Sequence, residues 1–333
     1  MIEDGINVVG GTNRLAIVIP AYKSKYLSET LDSIAAQTDQ RFCVYIGDDC
    51  SPENIGDIVE RYKGKFNYVY KRFDTNLGGK DLVAQWERCI AMTKGEEWIW
   101  LFSDDDIMDK GCVSGFYEQI VNKDIQCDLF RYDVQILKKG KLIESTDFPI
   151  ETDSVFLLKN VLAGKCHCYA VEYIFSRDIY MRMNGFQNFD LAWNSDIATW
   201  IKFGINKIHT IKGYLVLWRD SGENITTIND MNMLYRKWNA TTAFYIWVRD
   251  FFRVNSLHNL LFIDEYYIRT IYGTSKILPL KYCLKESKEY IGHGIRKWIM
   301  LSITIGYTII HRTYDMLKSK ILNLEMSKDN NAI

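Results

Sequence analysis

Apolar and polar residues follow one another in short blocks over the first part of the chain, and the pattern predicts strands and helices in turn. Residues 15–20 form a continuous apolar run stopped by proline, which is typical of a strand buried on both faces of a parallel sheet. Apolar residues at helical spacing follow at 27–35, and a β-rich run follows at 42–46. Ser51 and Pro52 then predict the capped start of another helix. The chain therefore opens as βαβα.

The same alternation continues to about residue 135. It predicts strands at 68–70, 98–102 and 128–134, and helices at 82–90 and 113–121. The pattern then changes to a hairpin around 138–140, to mixed segments, and from about 229 onward to long aromatic-rich helices. We expect an α/β fold with a doubly wound, mostly parallel sheet, helices on both of its faces, and a C-terminal helical extension. Proline is too scarce to indicate a flexible hinge, so one body at 1–228 with an extension at 229–333 is favoured over two independent domains.

Composition narrows the class of protein. The 41 basic and 42 acidic residues nearly cancel, so no overall positive charge favours a nucleic-acid partner. Eight cysteines are scattered, mostly in apolar runs, which is typical of reduced core thiols. The cluster at 166–168 lacks a second ligand pair at zinc spacing, and we interpret it as structural. Residues 1–14 have no apolar stretch before a cleavage site, so we expect a cytoplasmic catalytic body.

Polar clusters follow three of the predicted strands. They are PAYK at 20–23, GDD at 47–49 and SDDD at 103–106. Ligands of an open parallel sheet bind at the carboxyl ends of its strands, where these clusters converge. Three adjacent carboxylates repel one another, and a bridging Mg²⁺ or Mn²⁺ that also contacts substrate phosphates relieves that repulsion. An acidic run that merely caps a helix starting near Lys110 is the alternative.

Four motifs, taken together, resemble those of family 2 glycosyltransferases, which have the GT-A fold. They are IVIPAYK at 17–23, GDDCS at 47–51, NLGG at 76–79 and LFSDDDI at 101–107. Their order and spacing match over roughly the first 110 residues. The resemblance implies a catalytic domain whose nucleotide-sugar half spans about 14–110 and whose acceptor half spans about 111–228.

The resemblance also implies site residues. Pro20, Ala21 and Tyr22 border the nucleotide, Asp48 and Asp49 hold its base and ribose, and Asn76, Gly78 and Gly79 lie in a loop beside it. Asp105 and then Asp106 hold the metal, and Asp104 contacts the nucleotide-sugar. The family usually writes the last motif Asp-x-Asp-Asp, and Ser103 stands here at its first position. The first metal-side carboxylate is therefore either missing or moved to Asp104.

Two further residues match the family later in the chain. Asp196 falls where the family has its catalytic base, and would accept the proton of the acceptor hydroxyl during attack from the face opposite the leaving group. A purely capping role at a helix start is the alternative for Asp196. Arg219 matches a basic residue that closes over the diphosphate, with a surface salt bridge as its alternative.

The apolar run at 298–310 is thirteen residues long and has basic residues on both sides. It is too short to span a bilayer, which takes about 20 residues. A segment lying among lipid headgroups and a buried C-terminal helix are the two interpretations left open.

The sequence thus predicts an inverting, metal-dependent glycosyltransferase of bacterial cell-surface polysaccharide synthesis. A UDP-sugar is the expected donor, and a saccharide or lipid-linked saccharide is the expected acceptor. No nucleic-acid partner is expected, and a peripheral contact with the inner face of the cell membrane is one alternative for the location. A sugar nucleotidyltransferase needs a glycine-rich loop after the first strand, where residues 21–24 read AYKS. A dehydrogenase also needs glycines after that strand, whereas Gly10 and Gly11 precede the strand. A nucleotide- or glycan-binding module without turnover remains the non-enzyme alternative.

Overall fold

A computed structural model describes residues 14–122, 125–222, 224–228, 230–255, 261–292 and 294–329. Residues 1–13, on which the expected lack of a secretory signal rests, lie outside this part of the chain. The chain divides into two compact units, Met1–Asn229 and Asp230–Ile333.

The first unit is built on one large sheet. Its strands are β1 (Leu15–Ala21), β2 (Phe42–Asp48), β3 (Tyr68–Arg72), β4 (Trp98–Leu101), β5 (Ile107–Met108), β6 (Leu129–Lys138), β7 (Lys141–Ser145), β8 (Glu151–Thr152), β9 (Tyr173–Ser176) and β10 (Ile208–Asp220). The order across the sheet is β3-β2-β1-β4-β9-β6-β10-β5, with β7 beside β6 and β8 beside β10. The first four strands are parallel, β9 runs against both β4 and β6, and β10 is parallel to β6. Most of the sheet therefore runs in one direction, as the apolar runs predicted.

Helices cover the sheet on both faces. They are α1 (Leu27–Ala35), α2 (Ile55–Glu60), α3 (Leu82–Ile90), α4 (Cys112–Val121), α5 (Ser154–Leu162), α6 (Arg177–Arg182) and α7 (Ser195–Phe203). Every residue of β1 except Pro20 is buried, which explains the unbroken apolar run. One face of β1 joins the core formed with α1, α2 and α4, and α3 packs against β1 and β2. A Cβ added to Gly47 would lie 2.3 Å from the Cys89 sulfur, so α3 approaches β2 closely there.

The start of α2 differs from the prediction. The helix begins at Ile55 after Asn54, and not at Ser51. The Ser51 amide donates to Asp48 Oδ1 at 2.8 Å, and its hydroxyl donates to the Tyr22 carbonyl at 2.6 Å. The Ser51 hydroxyl also accepts from the Glu53 amide at 3.0 Å, so Ser51 caps a turn that precedes the helix and not the helix itself.

The second unit is helical, as the aromatic-rich pattern predicted. Its helices are α8 (Met231–Val254), α9 (Leu261–Thr274), α10 (Leu280–Glu286), α11 (Lys288–Ile291) and α12 (Gly294–Asp329). The Asp230 carboxylate accepts from the Met233 amide at 3.0 Å and caps α8. Three tyrosines, Tyr245, Tyr267 and Tyr290, pack ring against ring in its core.

The apolar run at 298–310 lies within the last helix, α12. Thr304 and Thr308 are buried, whereas Ile303 is 49% and Ile310 67% exposed. The run is therefore buried on one side of the helix and exposed on the other. None of the described helices is long and apolar enough to cross a membrane.

Candidate active site

The carboxyl ends of β1, β2 and β4 bring the three polar clusters to one edge of the sheet. Ala21 lies opposite Asp48 in the β1–β2 register, and Val18 lies opposite Leu101 in the β1–β4 register. The Asp49 amide donates to the Ala21 carbonyl at 2.9 Å, so the pairing of β1 and β2 extends past the strand ends. At this edge Ala21 is buried, Pro20 is half-buried and Tyr22 is 42% exposed.

The acidic run after β4 is tied to the end of β1 by Asp104. One of its carboxylate oxygens, Oδ2, accepts hydrogen bonds from the amides of Tyr22 at 2.7 Å and Lys23 at 2.8 Å. Burial and the charge of Asp105 raise the pKa of Asp104 to about 6, although the two amides oppose the shift. Asp104 therefore holds the Tyr22 loop against the acidic run.

Asp106 lies deeper than its neighbours. The Ser103 hydroxyl donates to Asp106 Oδ2 at 2.6 Å, and the Arg219 amide donates to Oδ1 at 2.7 Å. Burial, followed by the charge of Asp105, raises the pKa of Asp106 above its ordinary value. Ser103, which departs from the family motif, thus stabilises the Asp106 carboxylate.

The acidic run suits a divalent cation. The raised pKa values of Asp104 and Asp106 both include repulsion from Asp105, which a cation would relieve. Each oxygen of Asp106 keeps a second lone pair beyond the hydrogen bond it accepts. Within the described residues no three Asp, Glu, His or Cys side chains surround a common point, so the phosphates of a donor would have to complete the coordination.

The acidic run does not cap α4. That helix begins at Cys112 with Gly111 at its N-cap, and β5 separates it from Asp106. The geometry therefore disfavours the capping alternative.

Arg219 binds the same run from β10. Its Nε donates to the Asp105 carbonyl at 2.7 Å and its Nη2 to Glu29 at 2.6 Å, while its guanidinium lies 4.0 Å from the centre of the Tyr26 ring. The salt bridge with Glu29 that Arg219 forms is half-exposed on the glutamate side, whereas the Arg219 side chain itself is only 9% exposed. Arg219 therefore holds Asp105 and Asp106, whereas the amides of Tyr22 and Lys23 hold Asp104.

Asp48 and Asp49 organise the neighbouring loops. Asp48 is fully buried, and its Oδ2 accepts from the Tyr70 hydroxyl at 2.7 Å and from Arg72 at 2.8 Å. These contacts favour a positioning role for Asp48, and its expected contact with a nucleotide stays a prediction.

The loop at 76–79 closes on Asp49. The Asp49 carboxylate accepts from the amides of Leu77 at 2.7 Å and Gly78 at 2.8 Å, and Arg88 also donates to it. A Cβ on Gly78 would lie 2.7 Å from Asp49 Oδ2, and one on Gly79 would lie 2.4 Å from Asn76 Oδ1. A side chain at either glycine would therefore have to displace the carboxylate or the amide that closes the loop. Arg72 and Arg88, which sequence reasoning missed, compensate the two buried carboxylates; no motif marks them.

Asp196 stands in the first turn of α7, after a strained loop. Leu191, Ala192 and Asn194 all have positive φ, between 52° and 65°, which is costly for residues other than glycine. Asp196 Oδ1 accepts from the Ile197 amide at 2.8 Å, and burial raises its pKa to about 6. Strained backbone often accompanies functional sites, and a pKa near neutrality suits a general base. The contact with Ile197 also keeps the capping alternative open.

One buried ion pair near Asp196 could not be predicted from the sequence. Arg131 on β6 and Glu172 before β9 are both fully buried and form an ion pair of 3.1 Å. Burial raises the pKa of Glu172 to about 7 against the lowering effect of Arg131, and the charge of Asp196 adds to the rise. The pair therefore lies close enough to Asp196 to feel its charge.

The chain is similar in sequence to known glycosyltransferases. The model of glycosyl transferase family 2 matches residues 16–180. GlyG, a glycosyltransferase of Streptococcus pneumoniae, is 28% identical over 45% of this chain and 50% of its own length. TarS of Staphylococcus aureus, a poly(ribitol-phosphate) beta-N-acetylglucosaminyltransferase, is 25% identical over 73% of this chain and 39% of its own length. This chain thus spans half or less of the length of these curated relatives.

A solved structure shares the fold. The crystal structure of residues 1–349 of S. aureus TarS in complex with UDP-GlcNAc has a TM-score of 0.55 and 18% identity, and covers 82% of this chain and 88% of that one. A crystal structure of the same fragment with UDP has a TM-score of 0.51. Both the fold and the family predicted from the four motifs are confirmed. The chain belongs to the family 2 glycosyltransferases, with an α/β catalytic fold of the GT-A type and a helical C-terminal region.

Proposed function

We propose that this chain is an inverting, metal-dependent glycosyltransferase that moves a sugar from a UDP-sugar to a hydroxyl of a saccharide or lipid-linked saccharide. The observation that carries the proposal is the acidic run held at the sheet edge by Asp104 on one side and Arg219 on the other. A fixed cluster of carboxylates at this position suits a metal–diphosphate site. UDP is chosen because the TarS fragment was solved with UDP and UDP-GlcNAc.

In the proposed reaction, Asp196 takes the proton of the acceptor hydroxyl. The acceptor oxygen then bonds to the anomeric carbon while the bond from that carbon to the diphosphate oxygen breaks, and attack from the opposite face inverts the configuration. Mg²⁺ or Mn²⁺, held by Asp105 with Asp106, would supply the positive charge that stabilises the leaving diphosphate.

The remaining residues would bind and orient the donor. Pro20, Ala21 and the exposed Tyr22 would border the nucleotide, and the loop of Asn76, Gly78 and Gly79 would lie beside it. Asp49 would hold that loop and reach the ribose, and Asp104 would contact the nucleotide-sugar. Arg219 would act mainly by positioning the acidic run, because Glu29 and Tyr26 already engage its guanidinium.

We further propose that the enzyme works in bacterial surface polysaccharide synthesis at the inner face of the membrane. The second unit carries 15 Lys and Arg residues against 9 Asp and Glu residues, a surplus of six, whereas the first unit has 26 against 33. A basic region that also exposes isoleucines suits an anionic lipid surface.

Release of nucleoside diphosphate from UDP-, GDP- and dTDP-sugars, with Mn²⁺, Mg²⁺ or EDTA, tests the reaction without an identified acceptor. We expect metal-dependent turnover of one donor and a loss of at least about a hundredfold in Asp105→Asn, because one charge that holds the cation is gone. Asp178→Asn is the matched control, since that aspartate is 74% exposed and follows β9 at the opposite edge of the sheet. Metal-dependent UDP binding without turnover would favour a binding module, and absence of nucleotide binding would contradict the proposal.

A further inference from the structure

A row of aromatic rings flanks the acidic run and has no part in the chemistry described above. Tyr169 and Trp218 stack with ring centres 4.2 Å apart and planes 8° from parallel. His167 stacks on Tyr169 at 5.7 Å and 13°. All three rings are partly exposed, and the His167 side chain is 43% exposed. We call His167, Tyr169 and Trp218 the aromatic row.

The aromatic row is fixed to the acidic run at one end. Trp218 immediately precedes Arg219, whose amide bonds to Asp106 and whose Nε bonds to the Asp105 carbonyl. Tyr169 precedes a short 3-10 helix, Ala170–Glu172, which packs against β4, β6 and β10. The Trp100 indole on β4 donates to the Val171 carbonyl at 2.7 Å and anchors that helix. The same strand therefore positions both the acidic run and the aromatic row.

The segment also lies near the helix that carries Asp196. Helix α5, which ends just before the segment, packs against α7. Burial raises the pKa values of Cys168 and Glu172, and the charge of Asp196 adds to both shifts. The segment 167–172 thus neighbours both the proposed metal ligands, through the stacking of Tyr169 on Trp218, and the proposed base. In an attack that inverts the anomeric carbon, the acceptor sugar has to lie beside the base that takes its proton.

Polar groups continue from the aromatic row. The His167 Nε2 lies 3.2 Å from a Glu144 oxygen, and Glu144 also lines an open cavity of about 120 Å³. Thr146, Asn160 and Lys165 line the same cavity. Aromatic faces beside several hydrogen-bonding groups suit a sugar ring, which has apolar C–H faces and polar hydroxyl edges.

We propose that the aromatic row binds a pyranose ring of the acceptor, with Glu144 and the polar cavity contacting its hydroxyl groups. This proposal rests on the proposed function, because it places the acceptor relative to the donor. It assigns acceptor recognition to residues 144–169 and 218, all within the first unit.

Binding of simple sugars to the full chain tests the proposal. The probes are methyl β-glucoside, methyl β-galactoside and methyl β-N-acetylglucosaminide at millimolar concentration, followed by saturation-transfer NMR. We expect at least one probe to bind to the wild type, and to bind at least about fivefold more weakly to two variants. His167→Ala removes an outer ring of the aromatic row, and Tyr169→Leu removes the middle ring that supports both outer rings. Tyr169→Phe keeps the ring and should restore binding. His311→Ala is the matched control, since that histidine packs on Tyr307 in the second unit.

Donor hydrolysis and UDP-sugar affinity are measured on the same samples. Unchanged donor affinity beside weakened glycoside binding would support an acceptor site. Weakened donor affinity with unchanged glycoside binding would overturn it in favour of a donor contact, and no glycoside binding by the wild type, or equal binding by the variants, would overturn it outright. Failure of the wild type to bind any UDP-sugar would instead count against the proposed function.

Discussion

At the residue scale, burial sets the electrostatics of the candidate site. Asp104 and Asp196 both have pKa values raised to about 6, chiefly because burial disfavours their charged forms. Asp48 and Asp49 are buried too, but each accepts a hydrogen bond from an arginine. The acidic residues therefore divide into two that are compensated by arginine and a run that a cation would compensate.

The raised pKa of Asp196 gives a pH prediction. A general base must be deprotonated, so donor hydrolysis, in which water replaces the acceptor, should fall as the pH falls through about 6 rather than near the ordinary value of 3.8. Asp196→Asn should lower turnover at least about a hundredfold and change donor affinity little. Measurement of UDP-sugar binding over the same pH range separates loss of the base from protonation of Asp104. Wild-type turnover in Asp196→Asn would move the base elsewhere.

Replacement of either member of the Arg131–Glu172 pair should lower the free energy of unfolding, but by different amounts. Glu172→Leu leaves a buried guanidinium that cannot lose its proton, and should cost about 3–5 kcal/mol of the free energy of unfolding. Arg131→Met should cost less, because Glu172, whose pKa already lies at about 7, can take up a proton. That cost should grow between pH 6 and pH 8, because the wild-type carboxyl ionises there beside Arg131, whereas without Arg131 the pKa of Glu172 is higher and the carboxyl stays protonated. The double variant should be more stable than Glu172→Leu alone, and denaturant unfolding at both pH values checks all three. Equal costs for the two single variants would contradict this account.

At the element scale, α12 presents an apolar side that the second unit does not cover. Ile299, Ile303, Ile309 and Ile310 are each 49–67% exposed, and Thr304 and Thr308 on the opposite side are buried. Between 296 and 320 the helix has five Lys and Arg residues and one acidic residue, Asp315. Lys276 and the Tyr272 hydroxyl both donate to that aspartate. An apolar stripe with a basic surplus is the pattern of a helix that lies in a lipid interface.

This arrangement predicts membrane binding that single side chains control. Ile303→Glu combined with Ile310→Glu should lower co-sedimentation with vesicles containing anionic phosphatidylglycerol at least about tenfold, because two charges would enter the apolar layer. Met181→Glu is the matched control, since that methionine is 68% exposed in the first unit. Binding by wild type that is equally strong to neutral vesicles would contradict the electrostatic part of the proposal. Self-association of wild type without vesicle binding would assign the stripe to a second copy of the chain.

At the scale of the whole molecule, the two units differ in net charge and in whether they contain proposed site residues. Every proposed catalytic and donor-binding residue lies in Met1–Asn229, which has a net deficit of seven basic residues. The helical unit has the opposite sign and no proposed site residue. We therefore assign the proposed chemistry to the first unit and the proposed membrane contact to the second.

Truncation after residue 229 tests that division. The fragment 1–229 should keep UDP binding and metal-dependent donor hydrolysis within a few fold, and should lose vesicle binding, because the basic surplus and the apolar stripe are absent. Vesicle binding by the full chain should also weaken as salt rises from 0.05 to 0.5 M, since salt screens surface charges. Vesicle binding that the fragment retains would place the lipid contact in the first unit.

The sequence by itself determined the order of elements, the direction of the sheet and the family. Buried parallel strands are apolar throughout, so 15–20 and 98–102 were recognisable, and the helices at 82–90 and 113–121 matched their apolar spacing closely. The predicted start of α2 was wrong because Ser51 caps a short turn through the Glu53 amide, and its hydroxyl also donates to the distant Tyr22 carbonyl, which local capping rules do not include.

Only the tertiary structure decided how the polar residues share the site. The sequence ranks Asp104, Asp105 and Asp106 by their likeness to a family motif but does not show their contacts. In the structure Asp104 accepts from the amides after β1, and Asp106 accepts from Ser103 and Arg219. Arg72, Arg88, Glu172 and the aromatic row carry no motif, because each gains its role from a partner on another strand or helix. Strands and helices can be predicted from the apolar pattern of neighbouring residues. Charge compensation and ring stacking instead depend on contacts that exist only after the strands have paired.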